Sequence, residues 1–558
     1  MKTRLWGKTA LALVLALAML ASMTVCGLAD TLTGEAEGYK GPVTAEVTVE
    51  DGKIVDLKLT GEKETPEIGG IAMEVLQQAI IDAGTIEGVD GVAQATWTSN
   101  AVFAAIRSAM GLEEEAAGEA EVEAVTASGL SHGVGVVSTP RLGPGSDAEG
   151  VGVYSFNEVI AYAIVDSDKR IVDLEVDIVE VITPNHDESN EGDNFMAGWP
   201  GQSYNSDADG DGTVEGQLEE TEDIFTEELL AWKTKRQKGS EYKMNSGTWE
   251  AEMDIFENFF KGKTVEEINE WYEKYCSDLN GRPLTAASSK EQDVAKFGAL
   301  TDEEKTVNDA VSGATMSVKD AHGDILAAIE KAVANAVPMR TQQDIAKVGM
   351  GVTVMPRLGP GKDDQEVPCY SFNIAVAGVC YDAEDKVVDL YADVLEIITP
   401  NHDGADDNAF TGWPGQSYNA DLDADGKVDQ VLEQTEETFV EQISAFKTKR
   451  DLGSKYKMKS GTWTEEMTAY EGAMVGKTTE EISAWVAACF SDVNGRSLHG
   501  TSDKEADVTK YAAMTDEQKA EMDAISGATM ALRDGHGDIL SAIEQAFETA
   551  KPAAITVE

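Results

Sequence analysis

The sequence predicts an α+β protein. Three related modules stand in tandem, each a small antiparallel sheet with helices, and the last two carry an insertion of about 100 residues. Duplication is the first observation behind this. Pro140-Arg141-Leu142-Gly143-Pro144-Gly145 recurs at Pro356 to Gly361, Tyr154-Ser155-Phe156-Asn157 at Tyr370 to Asn373, and Thr183-Pro184-Asn185-His186-Asp187 at Thr399 to Asp403, each at an offset of 216 in the numbering. From Trp199 onward the offset becomes 214. It holds for Gly-Trp-Pro-Gly-Gln-Ser-Tyr-Asn (198–205), Lys-Thr-Lys-Arg (233–236), Ser-Gly-Thr-Trp (246–249) and Ser-Gly-Ala-Thr-Met (312–316). The second observation is a strand–turn–strand pattern present three times. Residues 43–59 turn at Asp51-Gly52-Lys53 into Ile54-Val55-Asp56-Leu57, Val159–Asp166 turns into Ile171-Val172-Asp173-Leu174, and Ile374–Asp382 into Val387-Val388-Asp389-Leu390.

Each second strand leads to Thr-Pro, and each module closes with Ala-Thr followed by an apolar-periodic segment, as in Ile325, Ala328, Ile329 and Ala332. The interval from Thr65 to Thr96 is short, whereas those from Thr183 to Thr315 and from Thr399 to Thr529 are about four times as long, which locates the insertion. The resulting order is a signal segment at 1–29, a short module at 33–112, an acidic Ala/Glu linker at 113–126, and long modules at 127–336 and 343–550. A short joint at 337–342 separates the long modules, and the tail after Lys551 shows no pattern. Thr264-Val265-Glu266-Glu267-Ile268 and Leu300-Thr301-Asp302-Glu303-Glu304 make the insertion rich in helix.

Among 558 residues, 44 Lys and Arg face 102 Asp and Glu, a net charge of −58. That charge repels a phosphate backbone and anionic lipid, and no dense basic patch offsets it, so no nucleic-acid partner is expected. The 42% hydrophobic content suffices for packed cores. Lys2, Arg4 and Lys8 precede an apolar run from Thr9 to Val25, the layout of an export signal with cleavage before Asp30. A lipoprotein anchored through Cys26, or a retained membrane anchor, is the competing reading. Cys276, Cys369, Cys380 and Cys489 form no CxxC and no pairing frame, so free buried thiols are expected ahead of a meeting of Cys369 and Cys380 across a hairpin.

The closing strings are Asp309-Ala310-Val311-Ser312-Gly313-Ala314-Thr315, Asp523-Ala524-Ile525-Ser526-Gly527-Ala528-Thr529 and, in the short module, Asp90-Gly91-Val92-Ala93-Gln94-Ala95-Thr96. Serine or threonine before a helix reads first as a cap, and a helix start also favours a phosphate. A cap needs one residue, not a recurring string of seven. These strings, the Asp-Gly-Lys hairpin and Glu64-Thr65-Pro66-Glu67-Ile68-Gly69-Gly70 resemble the FMN-binding domain family. That family includes flavin-carrying subunits of the sodium-pumping NADH:quinone reductase and of Rnf complexes, and extracytosolic carriers used in electron export. The resemblance implies up to three FMN groups, each joined through its phosphate to Thr96, Thr315 or Thr529 by a separate flavin transferase. The binding motif would be Asp309, Ser312, Gly313 and Ala314, with Asp523, Ser526, Gly527 and Ala528, and Glu64 and Thr65 in the short module. The short module departs from the pattern at Ala93-Gln94, and the long modules place their helix about four residues later, roughly one turn.

Further features lie beside this motif. Asp207, Asp209 and Asp211, and again Asp421, Asp423 and Asp425, alternate before a glycine as in the first half of a calcium loop, but Leu218 and Leu432 replace the closing glutamate. Calcium and a plain acidic turn both remain open. His322 and His536 follow their threonines by seven residues, two helical turns if the segment is helical. Trp199, Trp249, Trp271 and their copies suit a core or a flavin ring. Lys233, Lys235, Arg236 and Arg282 suit a phosphate or the neutralisation of acidic helices. No GxGxxG, CxxC or GxSxG accompanies them. The expected function is an exported multi-flavin electron carrier between a membrane oxidoreductase and an external acceptor. A calcium-stabilised surface binding protein without flavin and a flavin-dependent reductase subunit are the alternatives.

Overall fold

The computed structural model describes residues 30–557 apart from 38–41, 51–52, 62, 64–69, 87–95, 111–124, 144–151, 185–193, 207–213, 215, 243, 245–246, 312, 359–368, 401–407, 422–424, 426, 457, 459–460 and 526. Contacts divide the chain into two compact units, 1–121 and 122–558. Both are mixed α+β, built on small antiparallel sheets.

The short unit pairs Asp30–Glu37, Pro42–Glu50 and Lys53–Thr60 in sequence order. Alternation along Val43, Ala45 and Val47 places three apolar side chains on one face, and Ile71–Ala83 and Thr96–Ala109 supply the helices of the same core through Leu76, Ile80, Val102 and Ile106. The first strand is not legible in the sequence pattern. Its place is fixed by packing, since a Cβ on Gly34 would stand 2.2 Å from the Ala105 oxygen and the Ala109 nitrogen. The closing helix lies directly on that strand.

The long unit repeats this arrangement twice. Ser131–Arg141, Ser155–Val165 and Ile171–Ile182 form one antiparallel sheet, extended by Val337–Pro338. Ile345–Arg357, Ser371–Tyr381 and Val387–Ile398 form the other, extended by Lys551–Val557 and Val125–Ala127. The patternless tail is therefore a strand, paired to a neighbour on each side. The closing helices Ile325–Asn335 and Ile539–Glu548 sit on the first strands through Gly133 and Gly135, and through Gly349 and Gly351, where any Cβ would strike helix backbone.

The two long modules are not separate domains. Their central strands are buried on both faces, which a sheet achieves only when covered on both sides. The outer faces hold the closing helices, and the inner faces share one core that includes Phe156, Ile160, Trp199, Phe372, Ile374 and Trp413. Contacts across this core come in reciprocal pairs. Trp199 Nε1 donates to the Phe410 carbonyl at 2.7 Å and Trp413 Nε1 to that of Met196 at 2.8 Å. Tyr154 bonds Glu436 and Tyr370 bonds Glu222. The helices Glu222–Leu230 and Glu436–Ser444 each pack on the other module's first strand. The segment after each closing helix reaches across as well. Arg340 pairs with Asp389 at 2.5 Å and with Glu471, and Lys551 pairs with Asp254 at 2.8 Å and Glu175 at 3.4 Å.

This internal pair is a twofold that has diverged at its axis. Tyr162 lies against Gly378, its own counterpart in the second copy, where a Cβ would meet the Tyr162 ring at 2.2 Å. One ring fills the space that two would contest. Its hydroxyl bonds His132 Nδ1 at 2.9 Å and Cys380 Sγ at 3.2 Å. Among the described residues, Cys276, Cys369, Cys380 and Cys489 take part in no disulfide.

Candidate functional site

Each long module brings its motif threonine to the rim of a pocket by the same device. The helix Trp249–Phe260 begins at Thr248, whose hydroxyl accepts from the Ala251 N–H at 3.1 Å. Its first turn carries Glu252, buried at 2% relative exposure. Glu252 Oε2 accepts from the backbone N–H of Thr315 and of Met316, both at 2.7 Å, and the Thr315 hydroxyl donates to Oε1 at 3.1 Å. In the second module Glu466, on Trp463–Met474, accepts from Thr529 N at 2.6 Å and Met530 N at 2.9 Å, and from the Thr529 hydroxyl at 3.3 Å. One carboxyl group thus fixes both the loop and the side chain of the threonine, with bonds stronger than those to a neutral acceptor.

Behind each threonine lies a cavity, of about 210 Å³ in the first module and 220 Å³ in the second. Trp249, Tyr242, Met244, Lys235, Arg282 and His322 line the first. Trp463, Tyr456, Met458, Lys449, Arg496 and His536 line the second, every one at the offset of 214. Lys235 and Lys449 are buried, each 4.9 Å from a tyrosine ring centroid and 3.4 or 3.3 Å from Glu180 or Glu396. Burial raises the Glu396 carboxyl, but Lys449, His536 and Arg357 outweigh it and bring its pKa down to about 2. Lys449 stays charged for the same reason, its pKa raised by Glu396 against burial. The cavities therefore combine an aromatic and thioether wall with a buried lysine–glutamate ion pair, an arginine and an aspartate.

The structure sorts the residues singled out in the sequence. Thr315 and Thr529 do not start the closing helix. A tight hairpin, Lys319–Asp320 against Gly323–Asp324 and its copy Arg533–Asp534 against Gly537–Asp538, intervenes. The helix that follows is capped by Asp324 or Asp538 instead. It opens only at Ile325 or Ile539, so the expected single extra turn is a hairpin. His322 and His536 sit in that hairpin turn, not two turns along a helix, and their backbone N–H groups donate to Asp320 and Asp534 at 2.8 Å. Both still face the threonine pocket. Of the tryptophans, Trp249 and Trp463 line the cavities, Trp199 and Trp413 belong to the shared core, and Trp271 donates to Asn308. Lys235 and Arg282 reach the cavity. Arg236 is taken up by Glu257 and Asp254, and Lys233 by Glu241.

Within the strings, Asp309 lies exposed in a 3-10 turn, Asp523 lies exposed near a helix end, and Ala314 and Ala528 are buried. A Cβ on Gly527 would meet nothing within 4 Å, and one on Gly313 only the terminal methyl of Ile255. Ser312, Ser526, Glu64 and Thr65 lie outside the described residues, as do Asp207, Asp209, Asp211 and Asp423. Asp425 pairs with Lys427 at 2.7 Å, and among the described residues no group of three acidic, histidine or cysteine side chains is placed to hold a metal. Thr96 opens the helix Thr96–Ala109. Sequence reasoning misses Glu252, Glu466, Tyr242 and Met244, although each belongs to the repetition that could have found them.

Among curated proteins, the chain is 30% identical over 192 residues to a protein named chlorophenol reductase from Desulfitobacterium hafniense, an alignment covering 32% of this chain and 50% of that one. The chain thus spans half the length of that relative. No helix among the described residues is long and apolar enough to cross a membrane. Residues 38–111, the short unit, match the model of the FMN-binding domain, and the chain therefore carries an FMN-binding domain.

Proposed function

We propose that the protein is an exported multi-flavin electron carrier, with all three modules of FMN-binding type and FMN joined covalently to Thr315 and Thr529, and to Thr96 in the short module. Flavin-associated electron transfer is the part that the FMN-binding domain and the reductase-named relative support together. The observation that supports the finer reading is the repeated pocket: a rim threonine, a buried tryptophan and two cations recur at the same offset in both long modules. The residues present suit the group. Tyr242 and Met244, with Tyr456 and Met458, line the cavity beside the buried tryptophans and suit a flat ring system, the exposed Arg282 and Arg496 on the lining suit a phosphate, and the fold leaves Gly527 bare on the side open to solvent. FMN, when bound, supplies the redox chemistry. The chain holds and spaces the groups, and its negative surface keeps it soluble outside the cell.

Maturation requires a flavin transferase, and a membrane oxidoreductase and an external acceptor complete the route. Peptide mass spectrometry of protein co-produced with such a transferase tests the attachment. Thr315→Ala and Thr529→Ala should each remove one flavin and leave the other. Unmodified peptides at both sites in the unsubstituted protein would end the covalent reading. The name of the Desulfitobacterium relative favours a second reading, a reductase subunit acting on a small external acceptor at the flavin. Turnover of a chlorinated phenol by the loaded protein alone would establish it.

A further inference from the structure

We propose that Glu252 and Glu466 act directly in the modification of Thr315 and Thr529, orienting each hydroxyl and taking its proton as the phosphoester forms. The inference rests on the covalent reading above and goes beyond it, by assigning a task to carboxyl groups of this chain rather than to the transferase alone.

The geometry in both modules is the same. Oε2 of the glutamate accepts two backbone N–H groups, from the threonine and the methionine after it, at 2.6 to 2.9 Å. The threonine hydroxyl donates to the same carboxylate, to Oε1 at 3.1 Å and Oε2 at 3.3 Å in the first module and to each oxygen at 3.3 Å in the second. Both carboxyls are almost fully buried, at 2% and 3% relative exposure, whereas Thr315 is exposed and Thr529 partly so. A hydroxyl that donates inward to a carboxylate presents its oxygen lone pairs outward, toward the pocket mouth. A capping role for the loop would be met by Oε2 alone. The hydroxyl, shared between the two carboxylate oxygens, is a further contact that capping does not need, and it orients the atom that must react.

The step balances with a flavin dinucleotide as donor. Threonine Oγ forms a bond to the phosphorus of the flavin-side phosphate. The bond from that phosphorus to the bridging oxygen breaks, and the nucleoside monophosphate leaves with the electron pair. The hydroxyl proton passes to Oε1, from which solvent removes it. No electron is gained or lost.

Glutamine at these positions separates orientation from loop structure. Its carbonyl oxygen can replace Oε2 and keep both backbone bonds. Its amide then occupies the place of Oε1 and donates to the threonine oxygen, which blocks a lone pair, while the carbonyl can still accept the hydroxyl but, unlike a carboxylate, takes up no proton. The experiment uses the full chain, a flavin transferase and flavin adenine dinucleotide, with the two threonine peptides quantified over time by mass spectrometry. The ratio of Thr315 to Thr529 loading within one molecule cancels any change in the transferase. Glu252→Gln should lower that ratio by about 100-fold, the usual scale of a lost proton acceptor, and Glu466→Gln should raise it similarly. Glu252→Asp should recover part of the loading, and melting curves of the variants should match the parent. Equal loading of the two sites in Glu252→Gln would overturn the inference while leaving the covalent reading intact. Absence of flavin at both sites in the unsubstituted chain would instead overturn the covalent reading itself.

Discussion

Trp413→Phe tests whether the two long modules fold as one body. Trp413 is fully buried, donates from Nε1 to the Met196 carbonyl of the other module at 2.8 Å, and lies 5.6 Å from the rings of Phe156 and Phe410. Phenylalanine keeps one ring but strands the carbonyl in a dry core. A buried acceptor left unpaired costs about 1–3 kcal/mol, and the lost apolar area with its residual cavity adds about 1–2 kcal/mol, for a total of about 2–5 kcal/mol. Because the indole bridges the modules, this loss should fall on both. Amide hydrogen exchange read on peptides from Ser155–Val165 and from Ser371–Tyr381 is the assay, since both strands belong to the shared core and exchange through cooperative opening. The opening free energy of the two strands should fall together and by the same amount. A fall confined to Ser371–Tyr381, with Ser155–Val165 unchanged, would refute the shared core as the cooperative unit and restore the picture of independent domains.

Three further outcomes follow from the same structure. Burial holds the His132 pKa near 4, with Asp389 opposing and Arg340 and Arg450 assisting, so the unfolded chain takes up a proton first and stability should fall as pH drops from 6.5 toward 4. His132→Val, the residue its counterpart Val348 already has, should abolish about 3 kcal/mol of that decline in acid denaturation curves. Burial raises the Glu158 carboxyl to about 8, against the opposing Ser138 bond and Lys331, so its contribution to stability is lost as pH rises from 4.5 to 8. Glu158→Gln should gain on the parent by about 1 kcal/mol per pH unit across that window in urea titrations, and equal slopes would count against a neutral buried acid. Calcium should raise the melting temperature if the two Asp-rich loops bind it in the native state only. Calorimetry with neither heat nor a shift would leave them as acidic turns.

The sequence determined the repetition, the central hairpins, the helical character of the insertion and the threonines that border the pockets. These are local or self-referential properties. Alternation marks a strand, a capping box marks a helix start, and a repeated string marks itself. The strand Ser131–Arg141 is hidden because Gly133 and Gly135 interrupt its apolar run, and those glycines matter only to the distant helix Ile325–Asn335. The tail strand Lys551–Val557 has no pattern of its own and exists because an edge was open to it. The position of His322 at the pocket follows in the sequence from a helical spacing that the hairpin replaces. Glu252 can be seen to repeat but not to serve, because its hydrogen bonds reach across to Thr315 and no spacing rule connects a helix's first turn to a distant loop. The pairing of the long modules is likewise hidden. A sheet with two apolar faces needs a cover on each, and only the tertiary structure decides that the cover is the chain's own second copy, with Tyr162 filling the axis where Gly378 makes room.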